Sequence, residues 1–169
     1  MRAEAYLGGA LGLCLLLPVQ VWATASDASG AQIDVVTGPA APAVALDRAT
    51  LRDIFLKRIV IDNTGNKLVP LNLPPEDPLR AAFSQALLGK SPEALQRFWN
   101  ERYFQGIAPP YVVGSQEAML RFVAETPGAL GYVASCRVDK RVRVVAKLPV
   151  PPDLAPRVAA LCGQAANPR

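Results

Sequence analysis

The chain has 169 residues, of which 51% are hydrophobic and 19% charged, which suits one folded domain and excludes a disordered chain or two lobes of normal size. It contains no histidine, which excludes Ser-His-Asp and Cys-His catalysis and most zinc sites. A formal net charge of only +4, with 5 Phe, 4 Tyr and 2 Trp, gives little support for nucleic-acid binding.

Residues 1–25 have the pattern of a secretory signal peptide. Arg2 supplies a positive start, residues 7–17 form an apolar run, and Ala23-Thr24-Ala25 is a small-x-small cleavage site. The alternative is a membrane anchor, but the run is shorter than the roughly 20 residues that a span needs, and no basic cluster follows it. We therefore expect cleavage after Ala25 and a periplasmic or secreted protein, with residues 26–169 forming the mature domain.

Cleavage at that site removes Cys14 and leaves Cys136 and Cys162 as a pair. In an oxidising compartment two such thiols most simply form a disulfide, which would stabilise the fold by about 3 kcal/mol in the chain-entropy model. Two buried free thiols are the alternative. Because no histidine is available to activate a thiolate, neither interpretation makes these cysteines catalytic.

The first half of the mature chain predicts a strand, a helix and a hairpin. Residues 33–36 form a short apolar strand, and Asp47 is placed to cap a helix over 48–57, whose apolar residues recur at helical spacing. Apolar residues on both sides of the turn sequence Asp62-Asn63-Thr64-Gly65-Asn66 indicate a hairpin over 59–73.

Three helices follow, each with a start signal. Asp77 before Pro78 and Ser91 before Pro92 place a capping side chain before proline, and Ser115 caps the third helix. Strands are predicted at 129–134 and 142–145, and Asp153 is expected to cap a final helix that carries Cys162. This order predicts an α/β domain with a small mixed sheet and packed helices.

The order of motifs resembles the phosphate ABC transporter substrate-binding protein family. Leu51-Arg52-Asp53-Ile54-Phe55-Leu56 resembles the family's L-x-x-I-F-x-G helix, with Lys57 in place of the glycine. The strand at 67–73 and the helix at 78–89 are similar to its strand-loop-helix, and Thr126-Pro127-Gly128-Ala129-Leu130-Gly131-Tyr132-Val133 is similar to its T-P-G-A-I-G-Y-V signature. The resemblance covers about residues 33–135 and implies a type II periplasmic-binding-protein fold reduced to a single lobe.

In that family an anion is held where a Ser-Gly-Thr loop meets a helix N-terminus, because free amide groups and the helix dipole bind phosphate there. The corresponding loop here is Leu73-Pro74-Pro75-Glu76-Asp77-Pro78. It has two carboxylates in place of hydroxyl and glycine, and proline lacks an amide donor. We therefore expect Asp77 to act as a structural cap in the position that phosphate would occupy.

Four residues remain as candidates for ligand binding. Arg80 lies one turn into the helix, and its alternative role is a solvated arginine paired with Glu76 or Asp77. Asn72 and Ser84 are placed to line the same cleft or are ordinary surface residues. Ser115 begins another helix and is either a second anion contact or a plain N-cap. Gly131 and Tyr132 are expected to serve close packing.

Four aromatic residues, Phe98, Trp99, Tyr103 and Phe104, lie within seven residues. We expect most of them in the core, with Phe98 on the inward face of its helix. The alternative is that Trp99 or Phe104 docks a partner, since aromatic side chains anchor interfaces.

The resemblance implies an exported solute-binding protein for phosphate or another oxyanion, working with a membrane permease. The acidic loop favours the alternative, an extracytoplasmic interaction module or sensor partner that has lost the anion site. No histidine, metal-ligand cluster or inward carboxylate pair supports an enzyme, and we predict neither a cofactor nor a nucleic-acid partner.

Overall fold

The computed structural model describes residues 31–41 and 46–163. The predicted signal peptide and its cleavage site lie outside these residues. The strands are β1 (Gln32–Thr37), β2 (Val69–Asn72), β3 (Tyr111–Val112), β4 (Ala129–Ala134) and β5 (Arg143–Pro149). The helices are α1 (Arg48–Phe55), α2 (Pro78–Phe83), α3 (Pro92–Tyr103), α4 (Gln116–Glu125) and α5 (Ala155–Gly163). None of the helices in the described ranges is long and apolar enough to cross a membrane.

The five strands form one sheet in the order β3-β2-β4-β1-β5. β2 is parallel to both β3 and β4, whereas β1 is antiparallel to both β4 and β5. The predicted α/β class with a small mixed sheet is therefore confirmed. The first strand of the described chain lies between strands from its last third.

Helices cover both faces of the sheet. Two neighbouring residues of β4, Gly131 and Tyr132, contact helices on opposite faces. A Cβ atom on Gly131 would lie 2.8 Å from Cγ of Met119, so α4 packs directly on that face. Tyr132 points to the opposite face and stacks on Phe83 of α2, with 3.8 Å between ring centroids. Phe55 of α1 packs against Phe83 at 4.7 Å. The expected close packing at Gly131 is confirmed.

The predicted starts of α1 to α4 are confirmed, and each is capped by a contact between near neighbours. Asp47 accepts hydrogen bonds from the amides of Ala49 and Thr50, at 2.9 and 3.0 Å. Ser91 accepts from the amide of Ala94 at 3.3 Å. Such caps satisfy amide groups that have no partner within the helix.

The predicted hairpin over 59–73 forms only near its turn, where the amide of Leu68 donates to the carbonyl of Val60 at 2.8 Å. Its two arms share one antiparallel bridge, between Ile61 and Lys67, and β2 instead pairs in parallel with β3 and β4. Distant strands, not the turn at 62–66, therefore determine the sheet position of β2. The last helix also begins at Ala155, two residues beyond the cap predicted at Asp153.

The prediction for the aromatic group is wrong in two respects. Trp99, and not Phe98, is the buried ring of α3, packed with Leu95 and Leu56 in a small second cluster. Phe98 is half-buried, while the side chains of Tyr103 and Phe104 are 69% and 89% exposed.

The predicted disulfide is confirmed. Cys136 lies in a short 3-10 turn after β4, and Cys162 lies in α5. A second contact joins the same two segments, because Nη2 of Arg137 donates to the carbonyl of Leu161 at 3.2 Å.

Candidate functional site

The parallel strands place a candidate site at one edge of the sheet. Asn72 of β2 is level with Val112 of β3, and the pairing of Pro70 with Leu130 places it level with Tyr132 of β4. Ligands of open α/β sheets bind outside the carboxyl ends of the strands. Helices α2 and α4 begin just beyond this edge, after β2 and β3.

The start of α2 carries no unused amide donor. Pro78 has no N–H group, and Oδ1 of Asp77 accepts from the amide of Leu79 at 2.8 Å. The amides of Arg80 and Ala81 donate to the main-chain carbonyl of Asp77, at 3.0 and 3.3 Å. The expected cap is therefore present, and the groups that would bind an anion at this helix start are already bonded within the chain.

Arg80 lies at the same edge but is turned onto the backbone. Its Nη1 atom donates to the carbonyl of Leu73 at 2.7 Å, and the residue is half-buried. The alternative prediction, an ion pair with Glu76 or Asp77, is wrong. The guanidinium binds the carbonyl oxygen of Leu73 and not a carboxylate, so it joins the end of β2 to the first turn of α2.

Asn72 is joined to a buried tyrosine that the sequence analysis assigned to packing alone. The hydroxyl of Tyr132 donates to Oδ1 of Asn72, and the amide of Leu73 lies 3.3 Å from that hydroxyl and 3.1 Å from Oδ1. Tyr132 is fully buried, and this burial raises the pKa of its hydroxyl. The phenol therefore stays protonated and remains a hydrogen-bond donor at neutral pH.

Ser84 does not line the cleft. It is buried, with 4% exposure, and begins a π-helical turn (residues 84–88) that continues α2 up to Gly89. The turn contacts α1 on one side and β5 on another. Ser84 lies four residues after Arg80 and therefore on the same side of the helix. That side is half-buried at Arg80 and buried at Ser84.

Ser115 is an exposed N-cap that accepts from the amide of Ala118 at 3.1 Å. The first turn of α4 carries its own carboxylate, Glu117, whose two oxygens pair with Arg141 at 2.7 and 2.9 Å. This hydrogen bonding lowers the pKa of Glu117. The second helix start at the edge therefore already holds a negative charge with its counter-ion.

Two further polar contacts at this edge were missed by sequence reasoning. Oε1 of Gln116 accepts from the amide of Ala134 at 2.8 Å, and Ser135 donates to the carboxylate of Asp34 at 2.9 Å. Asp34 is only 4% exposed. The sequence pattern that could have indicated this contact is the charged residue Asp34 between the apolar residues of a strand.

Two surface hollows, of 270 and 240 Å³, are both smaller than the roughly 300–1,000 Å³ of ordinary ligand sites. The larger lies beside the disulfide and is lined by Ala134, Ser135 and Cys136, among others. None of the four candidates lines either hollow. Asn72, Arg80 and Ser115 lie around the carboxyl edge, outside both hollows.

The fold is similar to part of the fold of phosphate ABC transporter substrate-binding proteins of solved structure, as the sequence resemblance implied. No protein-family model matches the chain, and a search of curated proteins found no match. The likeness comes from solved structures and, at no more than 20% identity, shows the fold alone.

Two of these structures are informative. One is a putative phosphate ABC transporter substrate-binding protein from Clostridium perfringens with bound phosphate, with a TM-score of 0.55, 20% identity, and coverage of 68% of this chain and 45% of that one. The other is an ABC-type phosphate transport receptor from Vibrio cholerae, with a TM-score of 0.56, 18% identity, and coverage of 80% and 66%. The chain therefore spans less than two thirds of either protein.

Proposed function

We propose that the protein is an extracytoplasmic module of the solute-binding-protein type that acts through a protein partner, a membrane permease or a sensor, and does not capture phosphate at α2. The observation that carries the proposal is the bonding of the first turn of α2, where Asp77 and Pro78 leave no amide donor for an anion. The predicted signal peptide and the disulfide support an extracytoplasmic location.

Electrostatics supports the loss of the anion site. A phosphate at the start of α2 would lie beside the Asp77 carboxylate. Two unit charges 4 Å apart repel by about 4 kcal/mol at an effective dielectric constant of 20. The positive end of the helix already stabilises Asp77.

A second candidate function is phosphate binding through Arg80. It is favoured by the position of this arginine at the carboxyl edge and by the bound phosphate in the Clostridium perfringens structure. For this function the guanidinium must exchange the carbonyl of Leu73 for the anion. Arginine suits such an exchange because its planar group pairs with two oxyanion oxygens at once.

Thermal unfolding in millimolar inorganic phosphate separates the two candidates. We expect no stabilisation. Phosphate at ten times its Kd would raise the free energy of unfolding by about 1.4 kcal/mol. Stabilisation that Arg80→Ala abolishes, and that the exposed Arg97→Ala preserves, would establish the second candidate and refute the first.

A gain-of-binding experiment tests whether the loop with Glu76 and Asp77 is the position of a former anion site. Replacing Glu76 by Gly and Asp77 by Ser removes two negative charges and returns a small hydroxyl residue to the loop. We expect phosphate binding to appear by calorimetry in this double variant. Asp47→Ser, the same cap replacement on α1, is the control and should gain nothing. No gain in the double variant would show that this loop is not the remnant of an anion site.

Crosslinking in cells identifies the partner. Recovery of a sensor protein supports the non-transporting role, whereas recovery of the transporter permease alone supports a role in uptake.

A further inference from the structure

The C-terminal end of α3 exposes an unusual amount of apolar surface. Tyr103 and Phe104 are 69% and 89% exposed, and Val60 and Ile61, in the segment after α1, are 46% and 56% exposed. These four residues, here called the apolar tip, are four of the six large hydrophobic residues that are exposed in the described part of the chain. The two segments meet where Nη2 of Arg102 reaches the carbonyl of Lys57, at 3.5 Å.

The apolar tip is held in place by the core beneath it. Trp99 packs on Leu56, and Ile107 packs against the same cluster. The amide of Ile107 also donates to the carbonyl of Arg102 at 3.0 Å, which closes the end of the helix. Tyr103 and Phe104 therefore project from a fixed helix end, and their exposure is not a consequence of local unfolding.

Three basic residues, Lys57, Lys67 and Arg102, lie in or beside the two segments that carry the apolar tip. Among the ion pairs of residues 31–41 and 46–163, none includes Lys57, Lys67 or Arg102. Of the nearby carboxylates, Asp53 pairs with Arg58, and Asp62 accepts hydrogen bonds within its own turn.

The pKa of Lys57 is lowered by partial burial and by the charge of Lys67, so an external negative charge would relieve repulsion between these two lysines. Glu101, an exposed residue of α3, is the remaining acidic residue near this end of the helix.

We propose that the apolar tip docks onto the surface of an anionic phospholipid membrane, with Phe104 and Tyr103 in the interfacial layer and Lys57 and Lys67 against the headgroups. Amphipathic rings favour the membrane interface, and basic residues beside them are attracted to anionic lipid. The aromatic pair is exposed at a helix end and lines neither of the two hollows, which suits insertion into a fluid interface.

Vesicle co-sedimentation tests the proposal. We expect the protein to sediment with vesicles of equal parts phosphatidylglycerol and phosphatidylcholine, to sediment far less with phosphatidylcholine alone, and to be released by about 0.5 M NaCl. Phe104→Ser should weaken binding by about tenfold or more, because it removes the most exposed apolar ring. Tyr111→Ser, which removes an exposed ring outside the tip, is the matched control and should bind as the parent does.

A charge-reversal pair tests the basic surroundings in the same assay. Lys67→Glu should weaken binding to anionic vesicles, whereas Lys147→Glu, an exposed lysine of β5, should not. Circular dichroism and Tm establish that each variant is folded.

Absence of binding to the anionic vesicles, or equal losses in Phe104→Ser and Tyr111→Ser, would overturn the proposal. A concentration-dependent dimer in analytical ultracentrifugation that Phe104→Ser abolishes would assign the tip to a second copy of the chain and would also overturn it.

Discussion

Tyr132 joins three parts of the carboxyl edge. Its ring stacks on Phe83 of α2, and its hydroxyl bonds to the side chain of Asn72 and lies near the amide of Leu73. The signature around Gly131 indicated close packing but not this hydrogen bond. The partner of the hydroxyl lies on another strand, and a single sequence does not show which residues become level across a sheet.

Tyr132→Phe should lower the free energy of unfolding by about 1 kcal/mol, because the part-buried Oδ1 of Asn72 loses one of its two donors while the ring packing stays. Urea denaturation measures this loss. Tyr111→Phe removes a hydroxyl from an exposed ring and should stay within about 0.5 kcal/mol of the parent. A loss no larger in Tyr132→Phe than in this control would show that the hydrogen bond contributes nothing.

Lys57 adopts a left-handed backbone conformation with φ of 53°, at the position where the resembled family has glycine. Side chains other than glycine are strained there because the Cβ atom crowds the backbone. Lys57→Gly should therefore raise the free energy of unfolding by about 1 kcal/mol. Arg58→Gly, at the next position, should lower it, and an equal response from both variants would contradict the strain argument.

At the scale of elements, the starts of α1 to α4 could be predicted and the strand partners could not. A cap requires only contacts over two or three residues, so Asp47, Asp77 and Ser91 are visible in the sequence. The strands that pair with β2 are distant from it in the chain. The turn before β2 indicated a hairpin, but its two arms share only one bridge, between Ile61 and Lys67.

The same distinction applies to the candidate site. The role of Asp77 follows from its neighbours and could be predicted. The carbonyl acceptor of Arg80 depends on how the loop after Leu73 folds back. The burial of Ser84 depends on the elements packed around its helical turn, since spacing along a helix shows the stripe but not its depth.

The disulfide holds α5 to the end of β4. Val158 is the only residue of this helix that is buried among those described, so the covalent link carries much of the attachment. Replacing Cys136 and Cys162 by Ser should lower the free energy of unfolding by about 3 kcal/mol and speed hydrogen exchange in α5. Calorimetry and exchange measure both effects. Unchanged exchange in α5 would contradict this role.

At the scale of the whole molecule, acid stability should depend on Arg141. This residue binds Glu117 of α4 and Asp139 before β5, and its hydrogen bonds lower the pKa of both carboxyls. A lowered folded-state pKa gives stability that is complete above the unfolded values of about 4 and is lost as the pH falls through the folded values.

Arg141→Gln should therefore be less stable than the parent at pH 7, and the difference should shrink as the pH falls below the ordinary carboxyl values of about 4. Urea midpoints across this range measure the difference. Arg157→Gln, at an exposed arginine of α5, is the control and should follow the parent throughout. A difference that persists at the lowest pH would show that Arg141 stabilises by packing and not by charge.

The position of β1 has a consequence for how the molecule forms. Ile33 pairs with Ala134 and Leu148, which are roughly 100 residues later in the chain. Contacts between residues so far apart in sequence slow folding. A ribosome-bound fragment that stops before residue 129 lacks both neighbours of β1. β1 therefore stays without its sheet partners until residues 129–149 have been synthesised.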